Sequence, residues 1–355
     1  MLRLPSALSS TRMPRSYAVR SWYLAVPLFA LLQPLADGQV TLKDDPTPRY
    51  QIIALPLRPV AISNSDWVAG ATGDQHAATW NSKGGLYRIP LPAEFGFSES
   101  SSINSRGEAV GTATTADSSR RVAFVLRQGK VVLLPGEQSR ANGISDNGWI
   151  AGQTIISGSK AATPVLWENG SIVDLKICCA GVARSVNGNG LIVGDNYDKQ
   201  GRYHAFLWDA GHGARLLAAP GEEFSSAVAL NDRGTILLKA TPGGLFLYSG
   251  GKLEPIDIPK GTPRAMNDQG IVVGSFGPNP EAQRAFVWDR AHGMQDLNAL
   301  IPANSGWTLE VASSINDRGE IVGWGDHGGE ENLGFLLRPT STVNSSRQPA
   351  VRSVP

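Results

Sequence analysis

The chain has almost no cysteine. Two residues among 355, Cys178 and Cys179, stand side by side, so no long-range disulfide can staple the fold and a hydrophobic core must hold it. Joined to each other they would close a strained ring, because neighbouring Cα atoms ~3.8 Å apart fall below the usual disulfide span. Read plainly, they are two small apolar residues in a turn. A dominant charge is missing too: 32 Lys and Arg face 31 Asp and Glu, which removes the basic excess of a dedicated nucleic-acid binder. No helical periodicity is visible, and past residue 32 no apolar run could cross a membrane as a helix. The spacings of familiar chemistry are also lacking. No Gly-x-Ser-x-Gly elbow, His-Glu-x-x-His pair, phosphate loop, EF-hand loop or zinc cluster occurs, and neither metal nor cofactor is expected.

Glycine (40) and proline (23) are plentiful instead. Val, Ile, Leu and Trp come in short runs broken by Gly, Asn and Asp, the composition of many short strands and tight turns. The first 38 residues differ. Arg3, Arg12, Arg15 and Arg20 precede an acid-free apolar run from Trp22 to Leu32, and Ala36-Asp37-Gly38 offers small residues for cleavage. That order predicts a secretory signal over 1–38, with Met13 as an alternative start. The run is short and interrupted by Pro27, so an uncleaved N-terminal anchor is the lesser reading. Residues 39–49 read as a linker.

An internal repeat follows. Ile103-Asn104-Ser105-Arg106-Gly107-Glu108-Ala109-Val110-Gly111 recurs as Ile315-Asn316-Asp317-Arg318-Gly319-Glu320-Ile321-Val322-Gly323. Further copies begin at Val186, Met266 and Leu230, the last with Leu238 in place of the final Gly. Ile144 to Gly152 lacks only the Asn, and Ile62 to Gly70 is the most degenerate. Final positions 70, 111, 152, 194, 238, 274 and 323 lie 41, 41, 42, 44, 36 and 49 apart. A period near forty filled with strand residues is a propeller-blade length. Within each copy, Asn-Asp-x-Gly makes a hairpin turn, with Gly in the left-handed conformation. A third strand follows, such as Ala205-Phe206-Leu207-Trp208, and a Gly-led fourth, such as Gly213 to Leu217. Four strands make a blade.

The seventh copy stops after its third strand, at Arg338, and a Ser/Pro-rich tail over 339–355 reads as disordered. Tyr50 to Leu55, just before the first copy, can supply the missing strand and close the ring. The expectation is an all-β, seven-bladed β-propeller over residues 50–338, built of four-stranded antiparallel blades and sealed by an N-terminal strand pairing in the last blade. The first strands are small (Ser101-Ser102, Ala141, Ala183, Ala227, Ala265, Ala312 to Ser314), which suits the crowded axis and places them innermost.

The Asn-x-x-Gly-x-Val-Val-Gly pattern followed by His204-Ala205-Phe206-Leu207-Trp208 resembles the HAF-repeat extracellular proteins of bacteria. The likeness covers about residues 60–338, although His survives in full only in the fourth copy and in part at His76-Ala77. It implies export and tandem repeats, and it carries no activity, ligand or catalytic residue with it. Trp208-Asp209 and Trp288-Asp289 resemble WD40 repeats in architecture alone.

Most candidate site residues read as scaffold. Asn104, Asn187, Asn231, Asn267 and Asn316 are turn-makers, one per repeat and not expected to converge on a ligand. Trp80, Trp167, Trp208 and Trp288 end third strands and pack between blades. His212 and His292 occupy equivalent turns. His327, in Asp326-His327-Gly328-Gly329-Glu330-Glu331, sits in a charged loop without a second ligand spacing.

Geometry nevertheless singles out one end of the disc. There the loops joining second to third strands bring Tyr197, Arg202, Tyr203, Arg284, Trp324, Asp326 and His327. Loops between blades add Glu222, Glu223, Phe224 and Trp307. Variable loops over a rigid scaffold are the default binding surface. The expected function is an exported, monomeric, non-catalytic module binding a glycan, peptide or protein, with no nucleic-acid partner. The alternative is a secreted propeller enzyme acting on polysaccharide, a lyase or hydrolase. A passive surface repeat is a third reading. A small-residue, charge-poor channel would favour the binder, and carboxylates at its mouth the enzyme.

Overall fold

The computed structural model describes residues 48–156, 161–177, 179–217, 223–279 and 282–340. The expected export signal, Cys178, Glu222 and the tail beyond residue 340 lie outside them. Among the described residues, twenty-eight strands form seven four-stranded antiparallel sheets, one for each repeat. Blade 1 comprises β2 (Arg58–Ile62), β3 (Val68–Ala71), β4 (Ala77–Asn81) and β5 (Gly85–Arg88). Blade 2 is β6 (Phe95–Ile103), β7 (Ala109–Thr115), β8 (Arg121–Arg127) and β9 (Lys130–Leu133). In blade 3 come β10 (Glu137–Ile144), β11 (Ile150–Ile155), β12 (Thr163–Glu168) and β13 (Ser171–Asp174). Blade 4 holds β14 (Gly181–Val186), β15 (Ile192–Tyr197), β16 (Tyr203–Asp209) and β17 (Gly213–Leu216). Blade 5 has β18 (Phe224–Leu230), β19 (Ile236–Thr241), β20 (Gly244–Ser249) and β21 (Lys252–Ile256). Next is blade 6, with β22 (Gly261–Met266), β23 (Val272–Phe276), β24 (Arg284–Asp289) and β25 (Gly293–Asp296).

Blade 7 has β26 (Trp307–Ile315), β27 (Ile321–His327) and β28 (Glu330–Pro339) from the end of the chain, and β1 (Tyr50–Leu55) from its beginning. β1 runs antiparallel to β28, with Ile52 opposite Leu337 and Ile53 opposite Leu336. The seam therefore closes as the sequence predicts. It also runs past Arg338: the Thr340 N–H donates to the Arg49 carbonyl (2.9 Å) and its hydroxyl to the Pro48 carbonyl (2.8 Å).

The core is not one mass but seven apolar clusters, each shared by two neighbouring blades. Leu55, Leu57, Val68 and Ala78 meet Val322 and Leu336 across the seam. Trp167 and Trp288 are buried between blades, the packing role expected of them. Each buried aromatic contributes on the order of 2–3 kcal/mol.

The repeat's terminal glycine has a specific cause. In every blade the innermost strand carries a β-bulge at the same place, one residue past the position opposite that glycine. The bulge presses a carbonyl onto the second strand. A Cβ at Gly194 would lie 1.9 Å from the Val182 oxygen, and at Gly323 2.0 Å from that of Val311. The ring of Phe206 or Phe335 fills the remaining space above each. Blade 5 solves the problem differently: Leu238 is itself buried, and Phe246, opposite it, is partly exposed where its equivalents are fully buried.

Candidate functional site

The seven bulges determine what reaches the axis. The extra residues are Val60, Ser101, Asn142, Arg184, Val228, Arg264 and Ser313. Five of them, Val60, Arg184, Val228, Arg264 and Ser313, line one central cavity of about 600 Å³ together with Arg58, Glu99, Ser100 and Trp324. The small residues noted in the sequence (Ala141, Ala183, Ala227 and Ala312) are buried in the clusters between blades, Ala227 also bordering the cavity. The channel is therefore not the small-residue, charge-poor one that would favour a binder: Arg58, Glu99, Arg184 and Arg264 line it.

A larger cavity of about 830 Å³ adjoins it and shares Arg58, Ala71 and Glu99. Its walls come from blades 7, 1, 2 and 3: the connection Leu55–Arg58, the β3–β4 loop at Thr72, Gly73 and Gln75, Phe97 to Glu99, Thr112, Thr114, Arg121, Arg140 and the start of β28. This is the end of the disc singled out in the sequence, though none of the cavity's residues is among those singled out.

Charges in this funnel are incompletely matched. Arg184 is neutralised by Asp195, a buried carboxylate that takes its Nε at 2.7 Å and its Nη2 at 2.5 Å. Arg140 stands 3.8 Å from Glu99. Arg58 lies over the Trp324 ring, 4.1 Å from its centroid, as a cation–π contact. Arg264 is open to the channel, yet desolvation, and then the neighbouring Arg58, hold its guanidinium below the usual value. Arg121 is lowered by desolvation first and Arg140 second, with Glu99 opposing. Among the described residues no carboxylate forms an ion pair with Arg58, Arg121 or Arg264. On blade 7, Glu310 has its pKa raised by burial first, then by Asp326 and Glu331, while Arg58 pulls it down.

The opposite end is closed by the repeat's turns. Residues from all seven hairpin turns line one shallow depression of about 190 Å³. The repeated asparagines thus do converge, because a closed ring brings equivalent residues to one axis. Their side chains, however, are consumed by the scaffold. Asn187 accepts from the N–H groups of Asn189 and Leu191 and donates to the Asn231 carbonyl of the next blade (3.0 Å each). Asn231 and Asn267 repeat the link to blades 6 and 7.

The residues proposed from sequence divide into two groups. On blades 4 and 5, Tyr197, Tyr203 and Phe224 form a row, with ring centroids 6.4 and 5.2 Å apart. Arg202 is tied to Asp198 at 2.8 Å, and Glu223 pairs through its N–H with the Thr241 carbonyl. Burial works against the charge of Asp198, but hydrogen bonds from the Arg202 and Gln200 backbone and from Arg202 and His204 bring its pKa down to about 2. On blade 7, Trp307 stacks on His327 with centroids 4.8 Å apart, and the Asp326 carboxylate accepts from the Asn332 N–H. Arg284 is occupied by Asp296 at 2.7 Å.

Of all these, only Trp324 lines the funnel, and it lies inside β27 rather than in a loop. Tyr197, Tyr203, Phe224, Arg284, Trp307, Asp326 and His327 are likewise strand ends, because the β-ladders run further than turn residues suggest. His212 and His292 are equivalent, each Nδ1 beside an aspartate, Asp209 or Asp289. No group of metal-ligating residues assembles among the described residues.

No protein-family model matches this chain, and no curated protein matches it. Solved structures do. It is similar to virginiamycin B lyase from Staphylococcus aureus, 12% identical over 82% of this chain and 99% of that one, with a TM-score of 0.53. The β-propeller domain of the trilobed protease from Pyrococcus furiosus, described as having an open velcro topology, matches at 11% identity, 80% and 95% coverage and a TM-score of 0.55. A puromycin-hydrolysing peptidase from Mycobacterium tuberculosis matches at 14% identity and a TM-score of 0.51 over 81% of this chain but 52% of its own. At such identities the likeness is one of fold: the chain is a propeller module.

Proposed function

We propose that this chain is an exported binding module that seats a glycan, peptide or protein ligand in the funnel at the end of the disc where the inter-blade connections emerge. The observation that carries this reading is the cavity of about 830 Å³ built by four blades, with polar and aromatic side chains turned into it. Phe97, 45% exposed in its wall, is an aromatic face without a covering element among the described residues. The turns at the other end bond to one another. Export is supported by the arginine-led apolar segment before residue 38 and by the HAF-type repeats. Among the described residues no helix is long and apolar enough to cross a membrane.

A glycan array and a pull-down from native surroundings test the reading. Ligand capture lost in Phe97→Ala and Trp324→Ala, but kept in Asp232→Asn at the opposite end, is the expected outcome. Capture unchanged in both funnel variants would overturn it.

A second reading, a secreted polysaccharide lyase or hydrolase, draws on Glu310. Its pKa is raised by burial, Asp326 and Glu331 against the pull of Arg58, the direction a general acid needs. Release of reducing ends or unsaturated product that disappears in Glu310→Gln would replace the binding module with the enzyme.

A further inference from the structure

Across the two adjoining cavities, five arginines (Arg58, Arg121, Arg140, Arg184 and Arg264) face two glutamates, Glu99 and Glu331, and only Arg184 is neutralised from behind, by Asp195. The chain as a whole does not explain the excess. Its net charge is +1, and residues 1–38 alone hold four arginines against one aspartate, so the remainder is slightly acidic. Positive charge has been gathered here.

The arginines form two like-charged neighbourhoods. Arg58 and Arg264 oppose each other's charge on one side, and Arg121 and Arg140 do so on the other. Glu99 stands beside the second pair and Glu310, with Asp326 and Glu331 next to it, near the first, yet none of these carboxylates forms an ion pair with Arg58, Arg121 or Arg264 among the described residues. Placing cations together against their own desolvation destabilises the empty protein, so the arrangement has the form of a site awaiting an anion. Guanidinium forks match carboxylates in bidentate geometry.

Two further features describe what lies between the charges. Gln75, Thr112, Thr114 and Asn332 line the wider cavity, supplying both donors and acceptors. The Ser100 hydroxyl, buried in the wall of the deeper cavity, has no hydrogen-bond partner among the described residues. Phe97 adds a flat apolar face at the rim. Carboxylates, hydroxyls and a ring face of C–H groups, all on one ligand, describe an acidic sugar.

We propose that the funnel binds a uronate oligosaccharide, with Arg58 and Arg264 taking one carboxylate and Arg121 and Arg140 another. The proposal rests on the binding-module reading and narrows it to a ligand class. An acidic peptide would satisfy the arginines but has less use for the hydroxyl-rich wall, so the sugar is the assignment.

Calorimetric titration of the purified full chain tests it with four probes: hexamers of galacturonate and of mannuronate, the fully methyl-esterified galacturonate hexamer, and hexaglutamate. The expected result is binding of at least one uronate hexamer, at least tenfold weaker binding of its methyl ester, and affinity that falls as salt is raised. Arg58→Gln with Arg264→Gln weakens binding tenfold or more at an unchanged melting temperature, and Arg121→Gln with Arg140→Gln does the same. Arg58→Lys with Arg264→Lys keeps the salt dependence with reduced affinity, which separates loss of charge from loss of fold. Equal affinity for acid and ester, tighter binding of hexaglutamate, indifference to all the arginine changes, or no binding of either uronate would each overturn the proposal. If the array of neutral glycans and proteins still yields a ligand lost in Phe97→Ala, the module stands and only its anionic specificity falls.

Discussion

The side-chain amide of Asn316 donates to the main-chain carbonyl of Ser63, 253 positions earlier in the chain, at 3.0 Å. The same side chain accepts from the N–H groups of Arg318 and Glu320, each at 3.0 Å, and gives its second amide proton to the Glu320 carboxylate at 2.7 Å. One residue thus closes its own hairpin and ties the last blade to the first.

Replacing Asn316 with alanine removes all four bonds and leaves buried N–H groups without acceptors. The expected loss is about 2–4 kcal/mol, read as a lower urea midpoint. The converse change is available in blade 3. Ser145 accepts from the Trp149 N–H (3.2 Å) but makes no bond to Asn187 of the next turn, and Asn142 reaches the Ala183 carbonyl (2.8 Å) instead. Ser145→Asn restores the missing link and is expected to stabilise the protein by about 0.5–1.5 kcal/mol.

The bulge makes a prediction about glycine that sequence conservation alone would not. Gly194→Ala pushes a methyl group onto the Val182 oxygen and the Phe206 ring, and is expected to cost about 2–3 kcal/mol. Gly213→Ala meets nothing, but its φ of 70° disfavours a side chain, so about 1 kcal/mol is expected. Paired denaturation curves separate steric from conformational cost.

Asp268 accepts from the Asp232 N–H at 2.8 Å. Burial raises its pKa first; Asp317 and Asp232 then add repulsion to the opposing effects of that bond and of Arg233. An acid raised in the folded state favours folding while protonated, and that advantage is lost as pH rises through the folded value. At neutral pH the carboxylate is therefore a liability. Asn64 holds the equivalent place, accepting from the Asp317 N–H and donating to its carboxylate. Asp268→Asn keeps the acceptor and removes the charge. Its expected gain is a few tenths to ~1 kcal/mol at pH 7, shrinking towards zero below pH 4, in thermal melts across that range.

Deleting residues 50–55 strips β1 from β28 and exposes a strand edge next to an opened seam. Broad, multiphasic unfolding and concentration-dependent association are expected in place of a single cooperative transition, visible by light scattering and calorimetry. A monomer with unchanged cooperativity would mean that the seam is held by the blade contacts alone.

Fold and site were unequally legible in the sequence. Ile-Asn-Asp-x-Gly turns and Gly-terminated second strands state their own local geometry, and their even spacing reveals the ring and even its seam at Ile52 and Ile53. Arg58, Arg121, Arg140, Arg184 and Arg264 carry no such mark. They are spread over 206 positions, from Arg58 to Arg264, across blades 1 to 4 and 6, and each looks like a solvated charge until a bulge turns Arg184 or Arg264 to the axis. The available signal was a charged residue interrupting an otherwise small innermost strand. Conversely, Tyr197 and Trp307 were conspicuous for size, but size on a strand end serves neighbours such as Tyr203 and His327.

Thr340 bonds to Arg49 and Pro48, and Tyr50 lies opposite Pro339. The first and last described residues therefore meet at the same end of a single ladder. Tension between them would part that ladder rung by rung, like a zipper drawn from its open end, rather than shear all its bonds together. Such an assembly yields to a small pull at one place while the rest of the wheel stays whole.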